Sequence, residues 1–154
     1  MKILVINCSP VRNGATAEIV NTVKQCVENE NTVKTVCIDD YEIKMCRGCR
    51  KCHKTAECFQ KDDVTKLMET YDWADKIVSV SPSYWADIPG QFKVLLVRLY
   101  TIEGRAPERC DCLISFIQSH CVRQNLGREP LVLQDCLGDG IQRTQCRQVF
   151  AALR

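Results

Sequence analysis

Residues 2–16 read KILVINCSPVRNGAT, and this stretch decides the fold. Ile3 to Ile6 form an unbroken apolar run, the pattern of a strand buried on both faces of a parallel sheet. The run breaks into the polar loop Ser9-Pro10-Val11-Arg12-Asn13-Gly14-Ala15-Thr16. Beyond it Ile19, Val20, Val23 and Val27 recur at helical spacing, which predicts a helix over roughly residues 15–29.

The alternation continues downstream. Val33 to Ile38 reads as a second strand ending at Asp39-Asp40, and Asp62 or Asp63 caps a helix carrying Val64, Leu67 and Met68. KIVSVS, Lys76 to Ser81, is a third strand. Asp87 and Pro89 are then expected as N-cap and first turn of a helix presenting Phe92, Leu95, Leu96 and Leu99. Such alternation predicts an α/β fold, a doubly wound parallel sheet with right-handed crossovers. Ligands of that architecture bind at the carboxyl ends of the strands, near the switch point.

The 154 residues suffice for one domain, a sheet covered by helices, with a four-cysteine insertion at 44–60. Beyond Arg105 the character changes. The first 105 residues hold ten lysines; the last 49 hold none, but six arginines, six glutamines and five cysteines. CLISFI, Cys112 to Ile117, reads as a fourth strand, after which neither helical periodicity nor a convincing fifth strand follows. The tail at 106–154 therefore reads as atypical, even foreign to the fold, and the sheet as incomplete at its C-terminal end.

Apolar content of 45% and charged content of 26% are ordinary for a soluble globular chain. A formal charge of +2 gives no reason to invoke nucleic acid or an anionic membrane as partner. No apolar run approaches transmembrane length and the N-terminus lacks a signal-peptide pattern, so a cytoplasmic chain is expected. Twelve cysteines in such a chain argue for metal ligation or redox use over structural disulfides. Cys8, Cys26 and Cys37 are expected simply to pack as small hydrophobes.

Three segments carry chemistry. In the first loop, backbone N–H groups and a helix N-terminus suit a dianionic phosphate. Ser9 and Thr16 add hydroxyls, Arg12 a charge-assisted contact, and Gly14 a backbone free of a side chain. The loop carries neither G-x-G-x-x-G nor the P-loop pattern, so a phosphomonoester such as FMN fits better than a dinucleotide or nucleoside triphosphate. A capped turn without ligand is the alternative. The second segment, Ser81-Pro82-Ser83-Tyr84-Trp85-Ala86-Asp87-Ile88, follows the third strand, where Tyr84 and Trp85 could wall a planar ring or serve packing or an oligomer contact.

The third is Cys46-x2-Cys49-x2-Cys52-x5-Cys58. A compact run of four thiolates supplies a [4Fe–4S] cluster from one loop, with Arg47, Arg50, Lys51 and Lys54 offsetting the anionic sulfurs. Zinc could use the same sulfurs, although structural zinc motifs usually split their ligands into two separated pairs. Cys49-Arg50-Lys51-Cys52-His53 also matches the haem c attachment pattern, which calls for an export signal that this N-terminus lacks. Unmetallated thiols are the remaining reading, and His53 is expected to be a solvated loop residue.

These segments together resemble the flavodoxin-like NADPH-dependent FMN reductases, with the iron–sulfur flavoproteins nearest among them. The resemblance runs over about residues 2–104, in KILVINCSPVRNGAT, the cysteine segment ending in KDDV, and ADKIVSVSPSYWADIPGQFK. It implies a three-layer flavodoxin-like fold in which Ser9, Arg12, Asn13, Gly14 and Thr16 hold the FMN phosphate. Pro82, Ser83, Tyr84, Trp85 and Asp87 would border the ribityl chain and isoalloxazine ring. It further implies a dimer or dimer-built tetramer. Val97 stands before Arg98 where the family usually has an acidic residue, and Ser119-His120 falls near the place of a further flavin loop.

The expected activity is that of an FMN-dependent oxidoreductase. Electrons would pass from NAD(P)H or a ferredoxin-like donor to a small-molecule or protein acceptor through FMN and the cluster. FMN accepts two electrons and releases them singly, while a cluster carries one at a time. A cluster-free NAD(P)H:FMN or quinone reductase is the alternative within the same class. An electron carrier or metal-binding module without turnover is the alternative outside it.

Overall fold

Alternate residues of the first strand bury into opposite sides of the sheet, and two separate cores result. In a computed structural model the described residues are 1–55, 57–85, 87–101, 111–116 and 132–133. The elements are β1 (Lys2–Asn7), α1 (Ala15–Val27), β2 (Thr32–Cys37), a 3-10 turn (Ile38–Asp40), α2 (Cys52–Thr55), α3 (Val64–Trp73), β3 (Lys76–Pro82) and α4 (Gly90–Thr101). Strands β4 (Asp111–Phe116) and β5 (Val132–Leu133) follow. The sheet order is β2-β1-β3-β4-β5. That is the order of the flavodoxin-type doubly wound sheet.

On one face Ile3 and Val5 of β1 and Val78 and Val80 of β3 pack under Ile19, Val20, Val23 and Val27 of α1. On the other, Leu4, Ile6 and Ile77 meet Leu67 of α3 and Phe92, Leu95 and Leu99 of α4. The period of two in β1 and of 3.6 in the helices therefore produces three layers. Strands β1, β2, β3 and β4 are parallel, and β5 pairs antiparallel with β4.

Three expectations shift. Strand β2 ends at Cys37, because Ile38 to Asp40 tighten into the 3-10 turn. Asp87 does not cap α4: it exchanges backbone hydrogen bonds with Tyr84 across an isolated bridge, and its carboxylate accepts from Ile88 N at 2.7 Å. The helix starts beyond it, with Lys93 N donating to Pro89 O at 3.0 Å. In the tail, β4 takes the position expected of the fourth strand, and a two-residue β5 appears where no fifth strand was expected. The rest of the tail, Ser119 and His120 included, lies outside the described residues.

Leu95 is 1% exposed at the centre of the α4 side of the core. Replacing it with alanine removes buried methyl groups and leaves a cavity, a loss of about 2–5 kcal/mol. Urea unfolding of Leu95→Ala should show a midpoint shifted down accordingly, with the slope unchanged.

Candidate functional site

Because β1, β2 and β3 run parallel, their carboxyl ends lie on one edge. The phosphate loop leaves that edge from β1, the cysteine segment from β2 by way of the 3-10 turn, and the aromatic loop from β3. Two bonds tie the edge together: Cys8 N donates to Val80 O at 2.8 Å, and the Cys37 thiol lies 3.8 Å from Ser9 O.

The phosphate loop is shaped by its own polar side chains. Asn7 Oδ1 accepts from Ser9 N at 3.0 Å, and Ser9 Oγ accepts from Val11 N at 3.0 Å, successive side-chain turns that reverse the backbone. Gly14 is the N-cap of α1, and no side chain caps the helix. A Cβ at Gly14 would stand 3.1 Å from Val11 Cγ1, tighter than an ordinary contact. Thr16 is buried, and its hydroxyl has no partner among the described residues. The uncapped amides, this hydroxyl and the missing Cβ make a cradle that suits a phosphate.

Arg12 makes two ion pairs at the end of β2. Its Nη2 lies 2.6 Å from Asp40 Oδ1 and its Nε 3.4 Å from Asp39 Oδ2. The charge of Asp40 and the hydrogen bond to it raise the pKa of this guanidinium. The cation thus bridges the phosphate loop to the end of β2. Cys8 behaves as expected: burial, reinforced by Cys37, pushes its thiol far above the usual range, with a hydrogen bond to Ser79 opposing. It stays a protonated packing group.

In the aromatic loop, Tyr84 N donates to Asp87 O at 2.7 Å and Asp87 N to Tyr84 O at 3.0 Å. Between them Trp85 sits at φ 51°, in the left-handed region that a bulky residue rarely adopts. Its ring is fully exposed, and Tyr84 is also exposed. A strained backbone that holds a large apolar ring in water is the mark of a ligand or partner surface.

The cysteine segment is a loop closed at a ladder-like neck. Glu42 N donates to Asp63 Oδ2 at 3.0 Å and Asp63 N to Glu42 O at 3.1 Å. Lys44 N donates to Asp62 Oδ2 at 3.0 Å, and Gln60 Nε2 to Met45 O at 3.1 Å. Above the neck, Gly48 and Arg50 take positive φ values of 65° and 57°, so the backbone curls between successive cysteines. Cys46, Cys49, Cys52 and Cys58 all line one pocket of about 420 Å³ of empty space, partly open to solvent. Gly48 N points at Cys46 Sγ, 3.4 Å away. Among the described residues no three His, Cys, Asp or Glu side chains gather closely enough to hold a single metal ion.

The floor of that pocket includes Arg98 of α4. Arg98 is 1% exposed and its partner Asp62 has a fully buried side chain. Nη1 donates to Asp62 Oδ2 at 2.7 Å and to Lys44 O at 2.6 Å, while Nη2 donates to Asp62 Oδ1 at 3.1 Å. Arg98 lines the pocket together with Cys58. Burial alone would lower the guanidinium pKa; the hydrogen bond and charge of Asp62, then Cys58, reverse the sign and raise it. Burial likewise pushes the Asp62 carboxyl up, but Arg98 and the Lys44 and Val64 amides hold it below the usual range.

Sequence reasoning missed this pair. It read Asp62 only as a helix cap and Arg98 only as the end of a helix. One signal was available: Arg98 comes three residues after Leu95, on the flank of the apolar stripe, where a cation needs a buried partner.

The sequence profile of the NADPH-dependent FMN reductases matches residues 1–109. An iron-sulfur flavoprotein of Archaeoglobus fulgidus is 35% identical over 98 residues, 64% of this chain and 48% of that protein. One of Clostridioides difficile is 29% identical over 119 residues, 73% of this chain and 52% of its own length. The chain therefore spans about half the length of the curated relatives it matches. An NAD(P)H:quinone oxidoreductase from Methanothermobacter marburgensis superposes with a TM-score of 0.57 at 18% identity, over 66% of this chain and 54% of that one, a likeness of fold.

The buried pair makes a pH prediction. A depressed carboxyl pKa contributes stability above its ordinary value of about 3.8, and that contribution is lost as pH falls through the depressed value. At neutral pH, Asp62→Asn strands a buried cation and should cost about 3–5 kcal/mol in urea unfolding. The gap between wild type and Asp62→Asn should start to narrow as pH falls below about 3.8, where the unfolded carboxyl takes up its proton, and should close only below the depressed value of the folded carboxyl.

Proposed function

We propose that this chain, which belongs to the NADPH-dependent FMN reductase family, is an FMN-dependent oxidoreductase with an iron–sulfur cluster on its cysteine loop. The observation that carries the reading is the shared origin of the three loops at one edge of the parallel sheet. NAD(P)H is the donor that the family name implies. When bound, FMN would take up an electron pair and release single electrons, and a cluster would carry one electron at a time.

The chain's own groups have separable tasks. The uncapped amides of α1 and the hydroxyls of Ser9 and Thr16 would hold the phosphate, with Asn13 and Gly14 completing the turn. Arg12 would add a charge-assisted contact to this phosphate, with Asp39 and Asp40 orienting its guanidinium. Pro82, Ser83 and Asp87 form the turn that presents Tyr84 and Trp85 to a planar ring. Exposed aromatic surface there would exclude water from one side of that ring.

For the metal, the donor set fits a cluster. Four cysteines line one pocket with the buried Arg98, and Gly48 N points a donor at the Cys46 sulfur. Zinc, with bonds of about 2.3 Å, would draw all four sulfurs onto one point. A cube of irons gives each thiolate its own corner, which suits thiols spread around a pocket. A second reading, a cluster-free reductase, is favoured by the lack of any tight ligand group among the described residues.

Visible spectra of anaerobically purified protein, before and after dithionite, separate the readings. Flavin bands over a broad bleachable shoulder support both cofactors; flavin bands alone favour the cluster-free reductase; no colour refutes both. Variants should dissociate the two sites. Cys49→Ser should lose iron and keep FMN. Thr16→Ala removes one hydroxyl contact to a charged group, worth about 1.5–3 kcal/mol, so FMN should bind roughly tenfold to hundredfold more weakly with iron unchanged.

A further inference from the structure

We propose that Arg98 is the positioning residue of the four-cysteine site, holding both ends of the loop from the core side of the pocket and setting the potential at the cluster. The inference rests on the cluster reading above and assigns a role to a residue outside the cysteine motif.

The geometry is specific. One guanidinium reaches Lys44 O before the first cysteine and Asp62 after the last, and it lines the pocket that holds Cys58 between them. Residues 44 and 62 are eighteen apart in sequence and 54 and 36 residues from Arg98, so a single side chain on a core helix closes a long excursion. Lysine could not replace it: one ammonium offers a point charge, whereas the planar fork donates in several fixed directions at once.

Charge argues for a second role. Arg47, Arg50, Lys51 and Lys54 around the loop are all exposed, where water and salt screen them. Arg98 alone among the cations lining the pocket is buried, in a medium where charge acts over longer range. Its field at the site is opposed by that of Asp62, so the pair is nearly neutral as a unit. Removing either partner unmasks the other.

Opposite signs follow, and a merely structural role would not produce them. Arg98→Met leaves the Asp62 carboxylate uncompensated and should make the cluster harder to reduce. Asp62→Asn leaves the guanidinium uncompensated and should make it easier. At a fixed solution potential each change should alter the reduced-to-oxidised ratio by roughly tenfold or more. Arg98→Lys keeps the charge, so the ratio should stay near wild type, while loss of the fork should slow cluster assembly.

The experiment is anaerobic reconstitution of wild type and the three variants with ferrous iron and sulfide, iron analysis, and a dithionite titration followed in the visible. Shifts of opposite sign in Arg98→Met and Asp62→Asn support the proposal. Unshifted ratios in iron-loaded variants overturn it and leave the cluster reading intact. Wild type that takes up no iron overturns the cluster reading, and this inference with it. If Arg98→Met does not fold, Asp62→Asn decides: an easier reduction supports the role of Arg98 and an unchanged ratio refutes it.

Discussion

A guanidinium at 1% exposure is stable only if its charge is met, and in this chain Asp62 and the carbonyl of Lys44 accept from its two Nη groups. That requirement ties the cysteine loop to the α/β core. Asp62 cannot turn to Arg98 unless the chain comes back to within a hydrogen bond of where it left, and the Glu42, Asp63, Met45 and Gln60 contacts then close in register. The pair's net contribution to stability is small by the usual argument for buried ion pairs. Its contribution to geometry is large, because either group alone in this position is strongly unfavourable.

The sheet supplies the complementary constraint. Parallel pairing forces every β-to-α connection to cross from the carboxyl edge, so chemically unrelated loops collect there. Side-chain turns by Asn7 and Ser9 shape the first loop, and the Tyr84–Asp87 bridge shapes the third. Each is a local solution. The second loop is long, and its base is closed by bonds between residues 42–45 and 60–63 that a residue from a distant helix joins.

That difference governs what could be read from sequence. The strand–loop–helix of residues 2–27 was legible because apolar periodicity and turn residues lie within the window that encodes them. The four cysteines announced themselves by spacing, and the structure places them around one pocket. Asp87 was misread as a helix cap because a carboxylate ahead of Pro89 fits that pattern, whereas backbone pairing with Tyr84 holds it in a turn. Arg12 was read as a phosphate ligand because the loop called for a cation; Asp39 and Asp40 pair with it from the end of the next strand. Arg98 and Asp62, separated by 36 residues, left no local trace beyond a charge beside an apolar stripe.

The loop divides into a neck set by hydrogen bonds and a tip that is mostly exposed, with Gly48 and Arg50 in left-handed conformations. This division has a thermodynamic consequence for metal binding. Ordering a residue costs about 1–2 kcal/mol, so a loop fixed only by its metal would spend much of the binding free energy on its own backbone. In the proposed cluster reading, the hydrogen-bonded neck and the packing of Cys52 and Cys58 beside Val64 and Met68 would spare part of that cost. Only the tip around Cys46 and Cys49 would remain to be drawn in. A four-thiolate site of this kind would keep its basic, exposed tip adjustable while its core side stays fixed, with Arg98 at the boundary between the two.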